Sequence, residues 1–368
     1  MSALPLDDGM PNPFCTPIRI KDFDVSCVAP SPFGVGFAFG SDDGKIMFTD
    51  KAGTSTGSPS GEAINGIASI GNSIAVSSRQ EVVLRTWTPE NHRRHTLCVI
   101  PHGAHGVSAT AGGYYVAPLG ETGIMMLKAS SSPGDSVGVM TAERDNMYFY
   151  RVLSQPGRDG KDLLICAARH GGIGIAEVRW EDKSYTMRTA RFPELDAIDV
   201  CFVGGKPESP AIAAVGRDGS LILVRDMLHL KEPLTMKFDT IKGKAFRLLS
   251  ARGHLFLLTS SALYGLMNLG KRLLDGLPER KFTTPIFMIP LDAVDASLVG
   301  DRWLPVVMPD EVLLFDLKLI EANTPENIRD GETRRALVET VEATGARIEQ
   351  TWEFDDIRAG SQVLAGAS

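Results

Sequence analysis

Polar residues with ligand-binding chemistry recur along the chain at a nearly regular interval. Each stands at the start of a short apolar run, and the set comprises Asp24, Asn65, His105, Arg151, Asp199, Arg247 and Asp295. The steps between them are 41, 40, 46, 48, 48 and 48 residues. Carboxylate and amide oxygens can ligate a divalent cation, but guanidinium groups in the same set would repel it. The pattern therefore favours a mixed-charge binding surface or a self-neutralising network over a metal centre.

Four histidines form two close pairs, His92 with His95 and His102 with His105, which resembles the spacing of paired metal ligands. Residues 96–100 between the pairs have the composition of a strand. A strand rises about 3.3 Å per residue, so the two pairs would lie roughly 20 Å apart. One zinc ion cannot bridge that distance, and the sequence predicts no metal site here.

Catalytic motifs occur only as near matches. Residues 53–57 fit Gly-x-Ser-x-Gly, but they lie in a Ser/Thr/Gly-rich stretch with no helix pattern after it. Residues 265–271 have the Walker glycine spacing, but Arg272 stands where a Ser or Thr should bind Mg²⁺. The glycines of 169–174 lie in a predicted hairpin turn, without the following helix that would bind phosphate. The sequence therefore predicts no catalytic residue and no cofactor.

The elements that must position the polar set repeat with it. After each polar residue come an apolar run, a tight turn and a second apolar run, and a more polar fourth run often follows. Asp-Gly turns such as 43–44 and 218–219 between apolar runs are strong hairpin signals. Residues 195–204 match residues 291–300 across 96 positions, which is two periods of 48. Four strands in each of seven units are typical of a β-propeller.

Over about residues 16–320 the chain resembles the WD40-like family of β-propellers. The resemblance rests on the hairpin of residues 40–50, in which Gly-Ser and Asp-Gly precede a strand that ends near the family's Trp-Asp position. Four strand ends match the Trp-Asp pair in part: Thr86-Trp87, Arg179-Trp180, Arg225-Asp226 and Phe315-Asp316. The family's Gly-His pair occurs at Gly253-His254, but after the first strand of its unit instead of before it. The resemblance implies an all-β, seven-bladed propeller and names no subfamily.

We expect three regions: an N-terminal tail at 1–15, the propeller at 16–320, and a C-terminal helix and tail at 321–368. A strand from one terminus should complete the last blade, because an open sheet edge invites pairing with other chains. Residues 16–21 are the best candidate for that strand, and residues 352–357 are the alternative.

The C-terminal region has the pattern of an amphipathic helix. Residues 332–350 are rich in helix formers, although Gly345 weakens the prediction of one unbroken helix. Its apolar stripe consists of Leu337, Val341, Ile348 and Trp352. Such a stripe packs on the protein itself, on a partner, or on a second copy as a homo-oligomer.

The composition of the chain argues against some classes of binding partner and indicates a cellular compartment. A net charge of −7 argues against nucleic-acid binding, which needs a concentrated Lys/Arg field. The five scattered cysteines include no Cys-x-x-Cys and fit a reducing compartment. We find no N-terminal signal sequence and no apolar run of the roughly 18 residues that a membrane span needs, so we expect a cytoplasmic protein with no membrane partner.

We therefore expect a non-catalytic protein-interaction platform, a subunit of a larger cytoplasmic assembly. In a propeller the seven polar residues should form a ring at one mouth of the central channel. Turns on the same face should add Arg79, Arg169, His170, Arg217 and Asp310 to the partner surface. The alternative is a propeller enzyme or small-ligand sensor that uses the polar channel mouth.

Overall fold

The chain folds into seven β-sheets. The computed structural model describes residues 15–18, 20, 22–32, 36–49, 54–87, 94–131, 136–141, 147–169, 172–190, 196–206, 209–226, 231–237, 241–266, 286–323, 337–339, 350–353 and 355–358. Within these ranges, no helix is both long enough and apolar enough to cross a membrane.

Four sheets belong to one compact unit, which comprises residues 24–168, 174–188 and 348–368. Blade one contains β2 (Val25–Pro30), β3 (Phe37–Ser41), β4 (Lys45–Phe48) and β5 (Thr54–Thr56). Blade two contains β6 (Ile64–Ile70), β7 (Ser73–Ser78), β8 (Val82–Trp87) and β9 (Arg94–Ile100). Blade three contains β10 (Ser108–Ala109), β11 (Tyr114–Pro118), β12 (Ile124–Lys128) and β13 (Ser136–Met140). Blade four contains β14 (Tyr148–Pro156), β15 (Asp162–Arg169), β16 (Gly172–Arg179) and β17 (Ser184–Ala190).

Three sheets belong to the other unit, which comprises residues 1–23, 169–173 and 189–347. Blade five contains β18 (Ala197–Lys206), β19 (Ser209–Gly216), β20 (Leu221–Asp226) and β21 (Lys231–Lys237). Blade six contains β22 (Ala245–Ala251), β23 (His254–Thr259), β24 (Ala262–Leu266) and β25 (Ile286–Pro290). Blade seven contains β26 (Asp295–Ala296), β27 (Trp303–Val307), β28 (Val312–Asp316) and β1 (Cys15–Ile18). Together the sheets make a seven-bladed β-propeller, as the sequence predicted.

Hairpins join the strands of each blade at the turns that the sequence marks. In blade five, Ala213 of β19 lies opposite Leu223 of β20, and the turn between these strands contains Gly219. Gly219 has a φ of 83°, a conformation that costs glycine little and other residues more. Consecutive apolar side chains of β19 and β20 are buried, so both faces of this sheet are covered.

The strands bury large apolar side chains between sheets. A cluster in the four-blade unit includes Tyr115, Leu84 and Leu127. The Tyr115 hydroxyl donates a hydrogen bond of 2.7 Å to the backbone oxygen of Ser73, and burial raises the pKa of this phenol to about 12. The hydroxyl therefore stays protonated and links blade three to blade two.

The N-terminal segment completes blade seven. Strand β1 pairs antiparallel with β28, with Cys15 opposite Phe315 and Ile18 opposite Val312. This confirms the prediction that a strand near residue 16 supplies the outer strand of the last blade. The pairing covers an edge that would otherwise expose unpaired backbone groups.

The C-terminal region differs from the predicted amphipathic helix. Leu337 begins β29 (Leu337–Glu339), which pairs with β21, and Trp352 lies in β30 (Gln350–Glu353), which pairs with β17. A further strand, β31 (Asp355–Arg358), pairs with β13. The helical assignment of Leu337 and Trp352 is wrong, because unpaired sheet edges offer hydrogen bonds that override local helix propensity. Val341 and Ile348 lie outside the described residues.

A short helix does follow the last blade. Helix α1 (Leu317–Asn323) starts directly after β28. The Asp316 carboxylate accepts a hydrogen bond of 3.0 Å from the Lys318 backbone N–H and one of 2.6 Å from Arg302. Asp316 is thus the N-cap of α1. The alternative closing strand, residues 352–357, pairs with blades four and three instead of blade seven.

Candidate functional site

Three residues of the predicted polar ring form a buried ion-pair network in the three-blade unit. Arg247 donates hydrogen bonds from Nε (3.1 Å) and Nη2 to the same oxygen of Asp295. Its Nη1 also lies 3.9 Å from Oδ2 of Asp199. The side chains of Arg247, Asp199 and Asp295 are only 14%, 1% and 8% exposed. This arrangement is the self-neutralising network that the mixed charges of the sequence allowed.

The backbone holds the Asp199 carboxylate in place. Its Oδ2 accepts a hydrogen bond of 2.7 Å from the Leu248 N–H, and its Oδ1 accepts one of 3.0 Å from the Val200 N–H. Arg247 therefore lies between the carboxylates of Asp199 and Asp295, and a cation that bridged them would have to displace it. In the described part of the chain, no group of three or more His, Cys, Asp or Glu side chains is arranged to hold a metal ion.

Two buried cysteines, Cys166 in β15 and Cys201 in β18, are unsuited to nucleophilic chemistry. Burial raises the pKa of the Cys166 thiol to about 12. Burial, with a smaller effect of the Asp199 charge, raises the pKa of the Cys201 thiol as well. Because the thiolate is the nucleophile, both side chains act as small apolar core residues.

A β-bulge explains why the polar residues do not all occupy one structural position. In blades one, two, five and six an extra residue interrupts the pairing near the start of the first strand. The residues directly after the bulge are Cys27, Gly66, Asp199 and Arg247. Asn65 is itself the bulged residue, and Asp24 lies three residues before the equivalent position. An inserted residue shifts the following residues by one structural position, and the spacing of polar residues along the sequence does not reveal this shift.

Asn65 positions the next loop. Its Nδ2 donates a hydrogen bond of 2.6 Å to the backbone oxygen of Ala104, and its Oδ1 accepts one of 2.7 Å from the Ser77 hydroxyl. The Ala104 N–H donates a hydrogen bond of 2.9 Å to the oxygen of Ser78. The loop that carries His105 is therefore fixed against the β7–β8 turn of blade two.

His105 lies in an exposed cluster of aromatic side chains. Its Nε2 is 2.7 Å from the Tyr148 hydroxyl. The ring centroids of His105 are 5.2 Å from those of Tyr148 and Tyr150, and the two tyrosine rings are 4.9 Å apart. We call His105, Tyr148, Tyr150 and the nearby Arg79 the His105 patch. These rings combine packing surface with hydrogen-bonding groups.

Backbone contacts from blade three hold the patch. The N–H groups of His105 and Phe149 donate hydrogen bonds of 3.1 Å to the oxygens of Pro118 and Gly120. A Cβ atom at Gly120 would lie 2.9 Å from the Tyr148 ring, and Gly120 has a φ of 64°. Glycine is therefore required where the Tyr148 ring crosses this turn.

The electrostatic surroundings of His105 are cationic. Partial burial and the charge of Arg79 lower the pKa of the His105 imidazole below its usual 6.5. The Arg151 guanidinium is close as well, because a Cβ atom at Gly106 would lie 3.5 Å from its Nη1. The imidazole is therefore neutral at pH 7 and can accept a hydrogen bond from, or donate one to, the Tyr148 hydroxyl.

The other predicted turn residues have various environments. Arg169 and Arg217 approach the two oxygens of Asp196 at 3.9 and 3.5 Å, in exposed ion pairs. Arg79 and Asp310 are exposed in the β7–β8 and β27–β28 turns. His170 lies outside the described residues. These turns close the same ends of the blades as the starts of the first strands, as antiparallel pairing requires.

Sequence reasoning missed Tyr148 and Tyr150. Their alternation with the buried Phe149 is the one local signal, since successive strand residues point to opposite faces. Their contact with His105, which lies 43 and 45 residues earlier in the chain, depends on the packing of blade four beside blade three.

The fold matches known structures although no sequence comparison finds a relative. No protein-family model and no curated protein matches the chain. The structure of U3-55K is 11% identical, with a TM-score of 0.58, over 82% of this chain and 98% of that one. The β-propeller domain of Myceliophteria thermophila Cps50 (Swd1) is 12% identical, with a TM-score of 0.56, over 83% and 99%. The architecture is that of a WD40-like seven-bladed propeller.

A third match shows that this propeller architecture is not confined to one kind of protein. Kuenenia stuttgartiensis hydrazine synthase is 9% identical, with a TM-score of 0.57, over 81% of this chain and 97% of that one. Identities of 9–12% establish the fold alone. The function of this WD40-like propeller must therefore be argued from its own side chains.

Proposed function

We propose that the protein is a non-catalytic protein-interaction platform and that a partner protein binds at the His105 patch. The observation that carries this proposal is the exposed contact of one imidazole with two tyrosine rings beside Arg79. Tyr and Arg are enriched in the residues that contribute most to binding at protein interfaces. Tyrosine presents a large amphipathic surface while losing little conformational entropy on binding.

The rigidity of the patch supports the same function. The loop with His105 and the strand with Tyr148 are both held by backbone hydrogen bonds to blade three. A surface that is already ordered loses less entropy when a partner binds, so more of the contact energy appears as affinity.

An enzyme or small-ligand sensor is less well supported. Asp199 and Asp295, the carboxylates that would serve such a site, both contact Arg247, and Asp199 also accepts hydrogen bonds from backbone N–H groups. Ion pairs that already satisfy each other leave little capacity for a ligand.

The proposal includes membership of a larger cytoplasmic assembly. Among the described residues, Cys15, Cys166 and Cys201 are free thiols, which suits a reducing compartment. The C-terminal strands are a second candidate contact surface, through which a homo-oligomer would form by exchange of an edge strand.

Proximity labelling in the native host tests the proposal. Full-length wild type, Tyr148→Ala and Arg179→Ala are each fused to the labelling enzyme, and the labelled proteins are compared. Arg179→Ala is the matched control because it removes an exposed guanidinium that lies outside the predicted partner surface. We expect one or more proteins labelled by wild type and the control to be lost with Tyr148→Ala.

The affinity of a partner found in this way gives the quantitative test. Truncation of a residue that dominates an interface costs about 2 kcal/mol or more, or roughly a 30-fold loss of affinity. Equal affinity of Tyr148→Ala and wild type would exclude the patch, and the absence of any specifically labelled protein would contradict the platform function.

A further inference from the structure

We infer that the His105 patch recognises a carboxylate side chain on an acidic peptide segment of the partner. This inference rests on the interaction function proposed above and adds the chemistry of the ligand. It follows from the hydrogen-bond donors in the patch, from the charges around them and from the adjacent apolar surface.

The His105 patch contains hydrogen-bond donors that suit a carboxylate ligand. The Tyr148 hydroxyl and the His105 imidazole are within hydrogen-bond distance of each other, and Tyr150 packs against both rings. A hydrogen bond of 2.9 Å from the Ala104 N–H to the Ser78 oxygen holds the His105 loop against the turn that carries Arg79, and the Arg79 charge lowers the pKa of His105. An ionised carboxylate only accepts hydrogen bonds, at about four lone-pair sites, and bonds from charged donors are the stronger ones.

Local charge favours an anion. Arg79 lies exposed in the β7–β8 turn, and in the parts of the chain that the structure describes it makes no salt bridge. The neighbouring Glu62 instead accepts a hydrogen bond of 2.7 Å from Gln80. Glu121 is an exposed carboxylate in the turn next to Gly120. The guanidinium thus increases affinity for an incoming carboxylate more than for a neutral group.

Other arginines near the same ends of their blades differ from Arg79. Arg169 and Arg217 share the carboxylate of Asp196, and Arg247 is paired with Asp295. A partner that approached those positions would have to compete with an intramolecular carboxylate. At Arg79 the incoming carboxylate would be the partner of the guanidinium.

The two tyrosine rings indicate which kind of residue should lie next to the acidic residue in the bound peptide. Tyr148 and Tyr150 are each partly buried, and their ring centroids lie 4.9 Å apart with an interplanar angle of 51°. An apolar or aromatic residue next to the acidic one would pack on these rings while the carboxylate meets the donors. The predicted ligand is therefore a segment with an Asp or Glu adjacent to an apolar residue.

A pH dependence follows from the surroundings of His105. The groups that face it are Arg79, Tyr148, Tyr150 and, beside Gly106, the Arg151 guanidinium. A bound carboxylate would favour the imidazolium, so peptide affinity should rise as the pH falls from about 7.5 to about 6.

Selection from a phage-displayed library of random dodecapeptides, on immobilised full-length protein, tests the inference. Enriched peptides are synthesised with a fluorescein label, and binding is followed by fluorescence anisotropy. We expect an Asp or Glu beside an apolar residue, and a loss of affinity of about tenfold or more with Arg79→Ala or with Asn or Gln in place of the peptide acid. Arg179→Ala, which removes an exposed guanidinium outside the predicted partner surface, should bind like wild type.

The outcomes distinguish failure of the carboxylate inference from failure of the proposed interaction function. Peptides that need Tyr148 but no acidic residue would overturn the carboxylate chemistry and leave the interaction function standing. Peptides that bind equally to Tyr148→Ala, or a failure to enrich any peptide, would overturn both. Tyr148→Phe, which keeps the ring and removes the hydroxyl, distinguishes loss of a hydrogen bond from loss of folding. Equal, Arg79-dependent binding of a single-stranded oligonucleotide would reassign the patch to nucleic acid.

Discussion

Replacement of Arg247 by methionine should destabilise the protein strongly. Methionine keeps much of the apolar stem and removes the guanidinium that contacts Asp199 and Asp295. A hydrogen bond to a charged group contributes roughly 1.5–3 kcal/mol, and Asp295 would lose two from Arg247. That sum agrees with the roughly 3–5 kcal/mol cost of breaking a buried ion pair. We therefore expect the free energy of unfolding to fall by about 4 kcal/mol.

Equilibrium unfolding in urea, followed by tryptophan fluorescence, measures this loss. The matched control is Arg217→Met, whose guanidinium and partner Asp196 are 48% and 34% exposed. Solvent screens such a pair, so its loss should cost at most about 1 kcal/mol. The double variant Arg247→Met/Asp295→Leu should recover part of the loss, because it removes the uncompensated carboxylate as well.

The reasoning would be refuted if Arg247→Met were no more destabilising than Arg217→Met. It would also fail if the losses from Arg247→Met and Asp295→Leu were additive in the double variant, since groups in one network must couple.

Three further changes test other parts of the structure. Gly120→Ala should cost about 1–3 kcal/mol in urea unfolding, because its Cβ would meet the Tyr148 ring at a φ of 64°; equal stability would contradict this packing. Deletion of residues 340–368 should uncover the outer edges of blades three and four and increase light scattering of the purified protein; unchanged scattering would show that these edges need no cover. Burial lowers the pKa of His254, so the folded chain binds this proton less readily than the unfolded chain and stability should fall as the pH drops below about 6.5. His254→Gln should reduce that dependence, and an identical pH profile would exclude the imidazole as its source.

The repeat in the sequence predicted the blades because the determinants of each blade are local. The Asp-Gly turn at 218–219 requires positive φ only at its glycine, and apolar runs on either side alternate to fill both faces of a sheet. The closing strand was also predictable, since a ring with an open edge needs one segment from a terminus.

The candidate site was predictable only in part. Counting residues identified Asp199 and Arg247, which share a position after a β-bulge, and also Asn65, which is the bulged residue one position earlier. His105 was identified as polar and near the start of its blade. Its contact with Tyr148 was not predictable, because the loop of one blade and the first strand of the next must come together to make it.

Sequence alone determined that this chain forms seven blades, because turn residues and strand alternation act within a few residues of each other. Tertiary structure decided the secondary structure of the C-terminal region. The spacing of Leu337 and Trp352 fits an amphipathic helix, but both residues lie in strands that pair with the edges of β21 and β17. Tertiary structure also decided which polar side chains are satisfied internally, as Arg247 is by Asp295, and which face solvent, as His105 does. Hydrogen bonds between distant segments settle both questions, and no local pattern in the sequence encodes the partners.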